Sequence, residues 1–101
     1  MSARTLQLPR LVAGRDFADD LVDALRLAPG AEVVVDAGEL LSGTPSFAAE
    51  LVERVLVAGQ AGSMLLLDAP ADFTDYICAA AHDLGVDGKL VVRRAAARSV
   101  G

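Results

Sequence analysis

The chain is short of the residues on which most site chemistry depends. Among its 101 residues there is one cysteine (Cys78), one histidine (His82), one lysine (Lys89) and no tryptophan. A lone cysteine excludes an internal disulfide and any cysteine-rich metal site. A lone histidine excludes the two-histidine zinc motifs. Aromatic residues make up 4% of the chain, so the core has to be built from small aliphatic contacts. No apolar run approaches the ~20 residues of a membrane span. The start, Met1-Ser2-Ala3-Arg4-Thr5, has no apolar core of a signal peptide. A cytoplasmic protein with no metal and no cofactor is the expectation.

Carboxylates are absent from both ends. All 14 lie between Asp16 and Asp87, opposed there only by Arg26 and Arg54, so that segment carries −12. The first 15 residues carry +3 and the last 13 carry +4, which leaves −5 overall. An acidic body argues against a nucleic-acid groove, because phosphate binding needs a clustered positive surface. The basic end (Lys89, Arg93, Arg94, Arg98) has few charges and reads as a solvated terminus.

What is present is ample apolar surface: 53% of the residues are hydrophobic. A chain of this length makes one domain, with a core over about residues 5–94 and a tail, 95–101, expected to fray. Thr5-Leu6-Gln7-Leu8-Pro9 alternates with period two and reads as an edge strand closed by proline. Val12-Ala13-Gly14 then turns the chain. Residues 16–27 have helical periodicity, with Phe17, Leu21, Ala24 and Leu25 on one side and Asp16, Asp19, Asp20 and Asp23 on the other. The row Asp16, Asp20 and Asp23 could hold a divalent cation, but such ions usually take ligands from a bent loop, and a solvated face is the simpler reading.

Val33-Val34-Val35, ending at Asp36, is apolar on both faces, the pattern of a central strand covered by helices on both sides. After the loop 37–43, a helix is expected from Pro45 or Ser46 to about Gln60, with Glu50, Glu53 and Arg54 on its polar side and Val57 among them. Glu50 and Arg54 stand at the i,i+4 spacing of a favourable pair. Ser63-Met64-Leu65-Leu66-Leu67-Asp68 is a second fully apolar strand. Asp72 is a good N-cap for the next helix, whose buried stripe is Phe73, Ile77, Ala80 and Leu84. Cys78 and His82 share that helix at i,i+4, without an orienting group; His82 reads as a surface histidine near Asp75 beside a half-buried cysteine. Lys89-Leu90-Val91-Val92-Arg93 is the last strand. Four mostly parallel strands alternating with three helices, joined by right-handed crossovers, make a small α/β domain.

The loop before Pro45 has glycines but neither a phosphate-loop lysine nor a Gly-x-Gly-x-x-Gly fingerprint, so no nucleotide site is indicated. The helix start is better marked. Thr44 can cap, Pro45 suits the first helical position, and Ser46 lies in the first turn, where a phosphate ester would meet free N–H groups. The stretch Val33-Val34-Val35-Asp36, a loop, then Thr44-Pro45-Ser46-Phe47-Ala48-Ala49-Glu50-Leu51 resembles the STAS-like domain family, as does Gly14-Arg15-Asp16-Phe17-Ala18 leading into a helix. The likeness spans about residues 6–92. In the anti-sigma factor antagonists of the wider superfamily, a serine ten residues after the strand's Asp is phosphorylated, and Ser46 stands ten after Asp36. Those antagonists carry Asp-Ser-Ser-Gly where this chain has Thr44-Pro45-Ser46-Phe47.

The resemblance implies a non-enzymatic regulatory module switched between partners, with Ser46 as its phosphorylation site and an anti-sigma factor or ATPase-type kinase as partner. The contact surface would comprise Thr44, Pro45, Ser46 and Phe47, continued by Glu50, Glu53, Arg54 and Val57. Two alternatives stay open. One is small-ligand binding at the carboxyl ends of the strands, where Asp36 and Asp68 sit; without a His, Lys or Arg in those loops, the same two carboxylates make a poor acid and base. The other is a homo-oligomeric structural or host-interaction protein of phage or actinobacterial origin, a homodimer at its simplest.

Overall fold

The apolar runs Val33-Val34-Val35, Met64-Leu65-Leu66-Leu67 and Leu90-Val91-Val92 become neighbouring strands in a computed structural model, which describes residues 3–94. The elements are β1 (Ala3–Gln7), β2 (Leu11–Val12), α1 (Arg15–Leu25), β3 (Glu32–Asp36), β4 (Ser42–Gly43) and α2 (Pro45–Val52). A π-helical turn (Glu53–Ala58) follows, then β5 (Ser63–Leu67), α3 (Ala71–Asp83), a 3-10 turn (Asp87–Lys89) and β6 (Leu90–Arg93). The main sheet has the order β1-β3-β5-β6, and every pairing in it is parallel. This is the expected α/β architecture, with β1 and β6 as its edges. The tail 95–101 lies outside the described residues.

Each strand-helix-strand passage steps one strand over in the same direction. Right-handed crossovers that all step one way lay their helices on one face. Burial follows from that. Val33, Val35, Met64 and Leu66 are wholly buried, while Val34, Leu65 and Leu67, pointing the other way, are partly exposed; on the edge strand β6 both Val91 (43%) and Val92 (41%) are open. Helices on both sides of β3 were the expectation; the chain supplies a single layer of three. A sheet wound in one direction leaves no helix for its second face.

Within that layer α2 is central. The Phe47 ring lies between Phe17 of α1 and Phe73 of α3, with centroids 5.8 and 6.1 Å away. On α1 the fully buried positions are Ala18 and Val22, flanked by partly buried Phe17, Leu21 and Leu25. The helix stops at Leu25, two residues short of expectation, where Arg26 turns left-handed (φ 52°) and its N–H reaches Asp23 O at 3.2 Å. On α3, Ala81 takes the buried place expected for Leu84, which is 41% exposed. Pro70 precedes that helix and Asp72 lies inside its first turn rather than capping it. Cys78 is exposed, and His82 Nδ1 lies 3.6 Å from Asp87 Oδ2 rather than beside Asp75.

The expected α-helix to Gln60 is α-helical only to Val52. Beyond it the turns widen, Gly59 N–H reaching back five residues to Arg54 O (2.9 Å). A Cβ at position 59 would stand 2.6 Å from that carbonyl, so only glycine fits there. Two further differences concern short segments expected to be irregular. Leu11–Val12, in place of the expected turn, and Ser42–Gly43, inside the expected loop, pair as a two-stranded parallel ribbon.

Candidate functional site

The β2–β4 ribbon stands at the rim formed by the carboxyl ends of the strands, and it delivers the chain directly into α2. Its backbone is pinned by Leu41 N–H and Ser42 N–H to Arg10 O (2.8 and 3.1 Å) and by Thr44 N–H to Val12 O (3.2 Å). Thr44 is extended (φ −101°, ψ 155°), and its Oγ1 accepts from Phe47 N–H at 3.2 Å and Gly14 N–H at 3.4 Å. The cap therefore ties α2 to the residue before α1. Pro45 occupies the first helical position, as its missing N–H allows. Ser46 is exposed, its Oγ 3.2 Å from Thr44 Oγ1.

The residues expected to form one contact surface divide by position. Thr44, Pro45 and Ser46 are together at the rim. Phe47, expected to take part in contact, has no exposed surface and anchors the helix from inside. This corrects the expectation: a ring held between two others in the core cannot also touch a partner. Glu50 and Arg54 do not pair with each other. Glu50 Oε1 accepts from Arg15 Nη1 at 2.8 Å, and Arg54 lies 3.5 Å (Nε) from Asp19 Oδ1 and bonds Asp23 through Nη2. The reason is that α1 presents Arg15, Asp19 and Asp23 at four-residue spacing beside α2 and the π-helical turn, so Glu50 and Arg54 each find an opposite charge across the helix interface. Glu53 and Val57 stay exposed further along, Val57 by 42%.

This ladder contains one repulsive rung. Asp19 and Glu50 are close enough to hydrogen-bond, which together with partial burial and Glu50's charge holds the Asp19 carboxyl above its ordinary value; Arg54 and Arg15 pull the other way.

Two rim residues escaped the sequence reading. Leu11, on β2, is 68% exposed and Leu41, just before β4, 71%. A signal for them exists in the apolar pairs Leu11-Val12 and Leu40-Leu41. In each pair one member is buried, Val12 and Leu40, and the other is left exposed. Next to Leu41 is a depression of about 130 Å³ lined by Ser42, Gly43, Pro70, Asp72, Phe73 and Tyr76.

Asp36 and Asp68 also meet at this rim, on either side of Gly38. Asp36 Oδ1 accepts from Gly38 N–H at 3.0 Å, closing the turn after β3. A Cβ at position 38 would lie 3.2 Å from Asp36 Oδ1 and 4.0 Å from Asp68 Oδ2. Asp68 itself is left-handed (φ 58°), with its N–H bonded to Arg93 O at 3.0 Å. Among the described residues no group of three or more His, Cys, Asp or Glu is placed to hold a metal ion, and no helix is long and apolar enough to cross a membrane. Neither a family model, a curated protein nor a solved structure matches the chain.

Proposed function

We propose that this chain is a non-catalytic regulatory module that binds a protein partner through the β2–β4 ribbon and the start of α2, with phosphorylation of Ser46 as its switch. One observation carries the reading: two leucines about 70% exposed, Leu11 on β2 and Leu41 just before β4, flank the segment that leads into an exposed serine hydroxyl. Single exposed apolar residues are ordinary; these two are held on one polar rim, Leu41 N–H bonding the Arg10 carbonyl next to Leu11, and apolar surface rimmed by polar residues marks contact surfaces. A phosphate on Ser46 would add nearly two negative charges beside them, at the N-terminal end of α2 where backbone N–H groups favour an anion. The likeness to anti-sigma factor antagonists names the partner class, an anti-sigma factor or the ATPase-type kinase that modifies its antagonist.

Co-purification of wild type, Ser46→Ala, Ser46→Asp and the double variant Leu11→Ser/Leu41→Ser tests this. The double variant is expected to lose the partner, and Ser46→Asp to differ from Ser46→Ala in recovery. Equal recovery by all four would reject the reading. A second reading, small-ligand binding, has the convergence of Asp36 and Asp68 on Gly38 in its favour, at the strand ends where open α/β sheets hold ligands. Thermal shifts with small cationic compounds, present in wild type and lost in Asp36→Asn, would favour it.

A further inference from the structure

The sheet ends on β6, and no strand among the described residues pairs with its far side. An edge strand presents a row of N–H and C=O groups to any extended segment that can reach it. Arg93 O is turned inward, accepting from Asp68 N–H at 3.0 Å. Neighbouring residues of a strand offer their backbone groups to opposite edges, so Val92 N–H and C=O face outward. From Val91 to Arg94 every residue is exposed. A groove of about 250 Å³ opens beside this edge, lined by Val92, Arg93 and Arg94 on one wall and by Ala71, Thr74 and Asp75 of α3 on the other. We infer that this edge takes an extended, acidic segment of a partner protein as a fifth strand.

Charge selects that occupant. Residues 89–94 hold Lys89, Arg93 and Arg94 and no carboxylate, and Asp75 is the single carboxylate lining the groove. The opposite edge, β1, is basic as well: it contains Arg4, and the first 15 residues carry no carboxylate. A second copy could offer only these two edges. Pairing β6 with β6 sets six cationic side chains along one short ladder, and pairing β6 with β1 adds Arg4 to the three. Like charges across a ladder are destabilising. Residues 95–101 bring Arg98 and no acidic side chain. Cations on an edge guard against self-pairing, and the same three attract a strand of opposite charge.

The two edges are not equivalent. On β1 the exposed side chains are Ala3, Arg4, Thr5 and Gln7, and Pro9 follows the strand. A polar surface closed by proline suits an edge left in water. On β6 two valines stand open on opposite faces, Val91 beside Leu65 (43% exposed) and Val92 beside Leu66 (41%). A strand laid against β6 would cover both, with alternate side chains entering the groove against α3. Main-chain hydrogen bonds then supply affinity, and the groove supplies the choice of side chain. No residue of this site belongs to the β2–β4 ribbon or to α2, so it is independent of the function proposed for them.

NMR titration and amide exchange of the isotope-labelled full chain test the inference, with two peptides as probes. One is ten residues of alternating valine and glutamate, the other has lysine in place of glutamate. The glutamate peptide is expected to bind with a Kd of roughly 10–500 µM, the weak range of a small interface, and to slow exchange of the Val92 amide. Methylating alternate backbone nitrogens of the peptide should weaken it at least ~tenfold in one of the two frames. Val92→Pro removes the outward N–H at an edge position, where proline is tolerated, and should abolish binding. Arg94→Glu, at an exposed position, should weaken binding about tenfold and keeps the test in force if the proline variant unfolds. Leu11→Ser/Leu41→Ser should bind the peptide as wild type does. No binding of the glutamate peptide at millimolar concentration overturns the inference, as does equal binding of the lysine peptide or indifference to methylation in both frames. A Val92 amide already protected without peptide overturns it too. Protection that grows with protein concentration would assign the edge to a second copy, and constant protection to the chain itself.

Discussion

On the helix side of the sheet, Val33, Val35, Met64 and Leu66 are out of water altogether, whereas on the other side Val34, Leu65 and Leu67 are partly wet. Among these the residue types hardly differ. What separates the two faces is the path of the chain, since three crossovers in one direction put three helices on one face. Apolar composition thus records which surfaces are to be kept from water, without recording what does the covering. On the inner face it is Phe47, Leu51, Val55 and their neighbours on the helices. The outer face mixes Val34, Leu65, Leu67 and Val91 with Thr5, Gln7, Glu32, Asp36, Ser63 and Arg93, and none of the helices among the described residues covers it.

Adjacent leucines on β5 give the sharpest test of this difference. Leu66 is wholly buried and Leu65 points to the bare face. Leu66→Ala is expected to cost about 2–5 kcal/mol, because a cavity opens in a packed core. Leu65→Ala should cost about 1 kcal/mol or less, as for a substitution outside the core. Urea unfolding of dilute protein measures both. Similar costs would mean that the outer face is covered within the monomer. A smaller effect of the same kind is expected at glycines. A Cβ at Gly43 would lie 2.6 Å from the Phe73 ring and 3.0 Å from Val12 Cγ2, while one at Gly88 meets nothing within 4 Å. Gly43→Ala should cost about 1–3 kcal/mol through overpacking, and Gly88→Ala should remain within about 0.5 kcal/mol of wild type.

Legibility in the sequence followed the length of the signal. Three strands were legible as runs of three or four apolar residues and the first by its alternation, and the Thr44-Pro45 helix start was legible too, its cap and proline acting within one turn. Val33-Val34-Val35 announced burial on both sides of β3 but could not announce one layer of helices, because topology depends on the direction of every crossover. The β2–β4 ribbon is two residues per strand and has no periodicity to read. Leu11 on β2 and Leu41 just before β4 therefore carried no periodic signal, though they dominate the exposed apolar surface at the rim. Glu50 and Arg54 read as partners on one helix, yet the neighbouring α1 offered each an opposite charge. Phe47 was legible as apolar and not as the ring at the centre of the layer, a position that exists only once α1 and α3 have packed.

The helix start differs again from both faces, being a polar device at the margin of the core. Thr44→Ala removes the acceptor for two N–H groups, Phe47's and Gly14's. It should cost about 1 kcal/mol in thermal or urea unfolding, and Thr44→Ser should restore most of it. Ser46→Ala removes an exposed hydroxyl and should change stability by no more than about 0.5 kcal/mol. If Ser46→Ala proved as costly as Thr44→Ala, the serine would be part of the cap, and its availability to a kinase would be in conflict with the fold.

The smallest effect belongs to the charge ladder between α1 and α2. Asp19's carboxyl is raised chiefly by its hydrogen bond to Glu50, then by partial burial and by Glu50's charge, against the pull of Arg54 and Arg15. The folded chain thus keeps the Asp19 proton to higher pH than the unfolded chain does. Stability from this group is fully present below the ordinary aspartate value and is lost as pH rises through the elevated folded value. Asn at position 19 can still hydrogen-bond Glu50 but has no charge to develop. The difference in urea midpoint, Asp19→Asn minus wild type, should therefore increase as pH rises through that window and level off above it. A difference that decreased instead would show that Arg54, shared between Asp19 and Asp23, outweighs Glu50 and that the ladder is attractive at every rung.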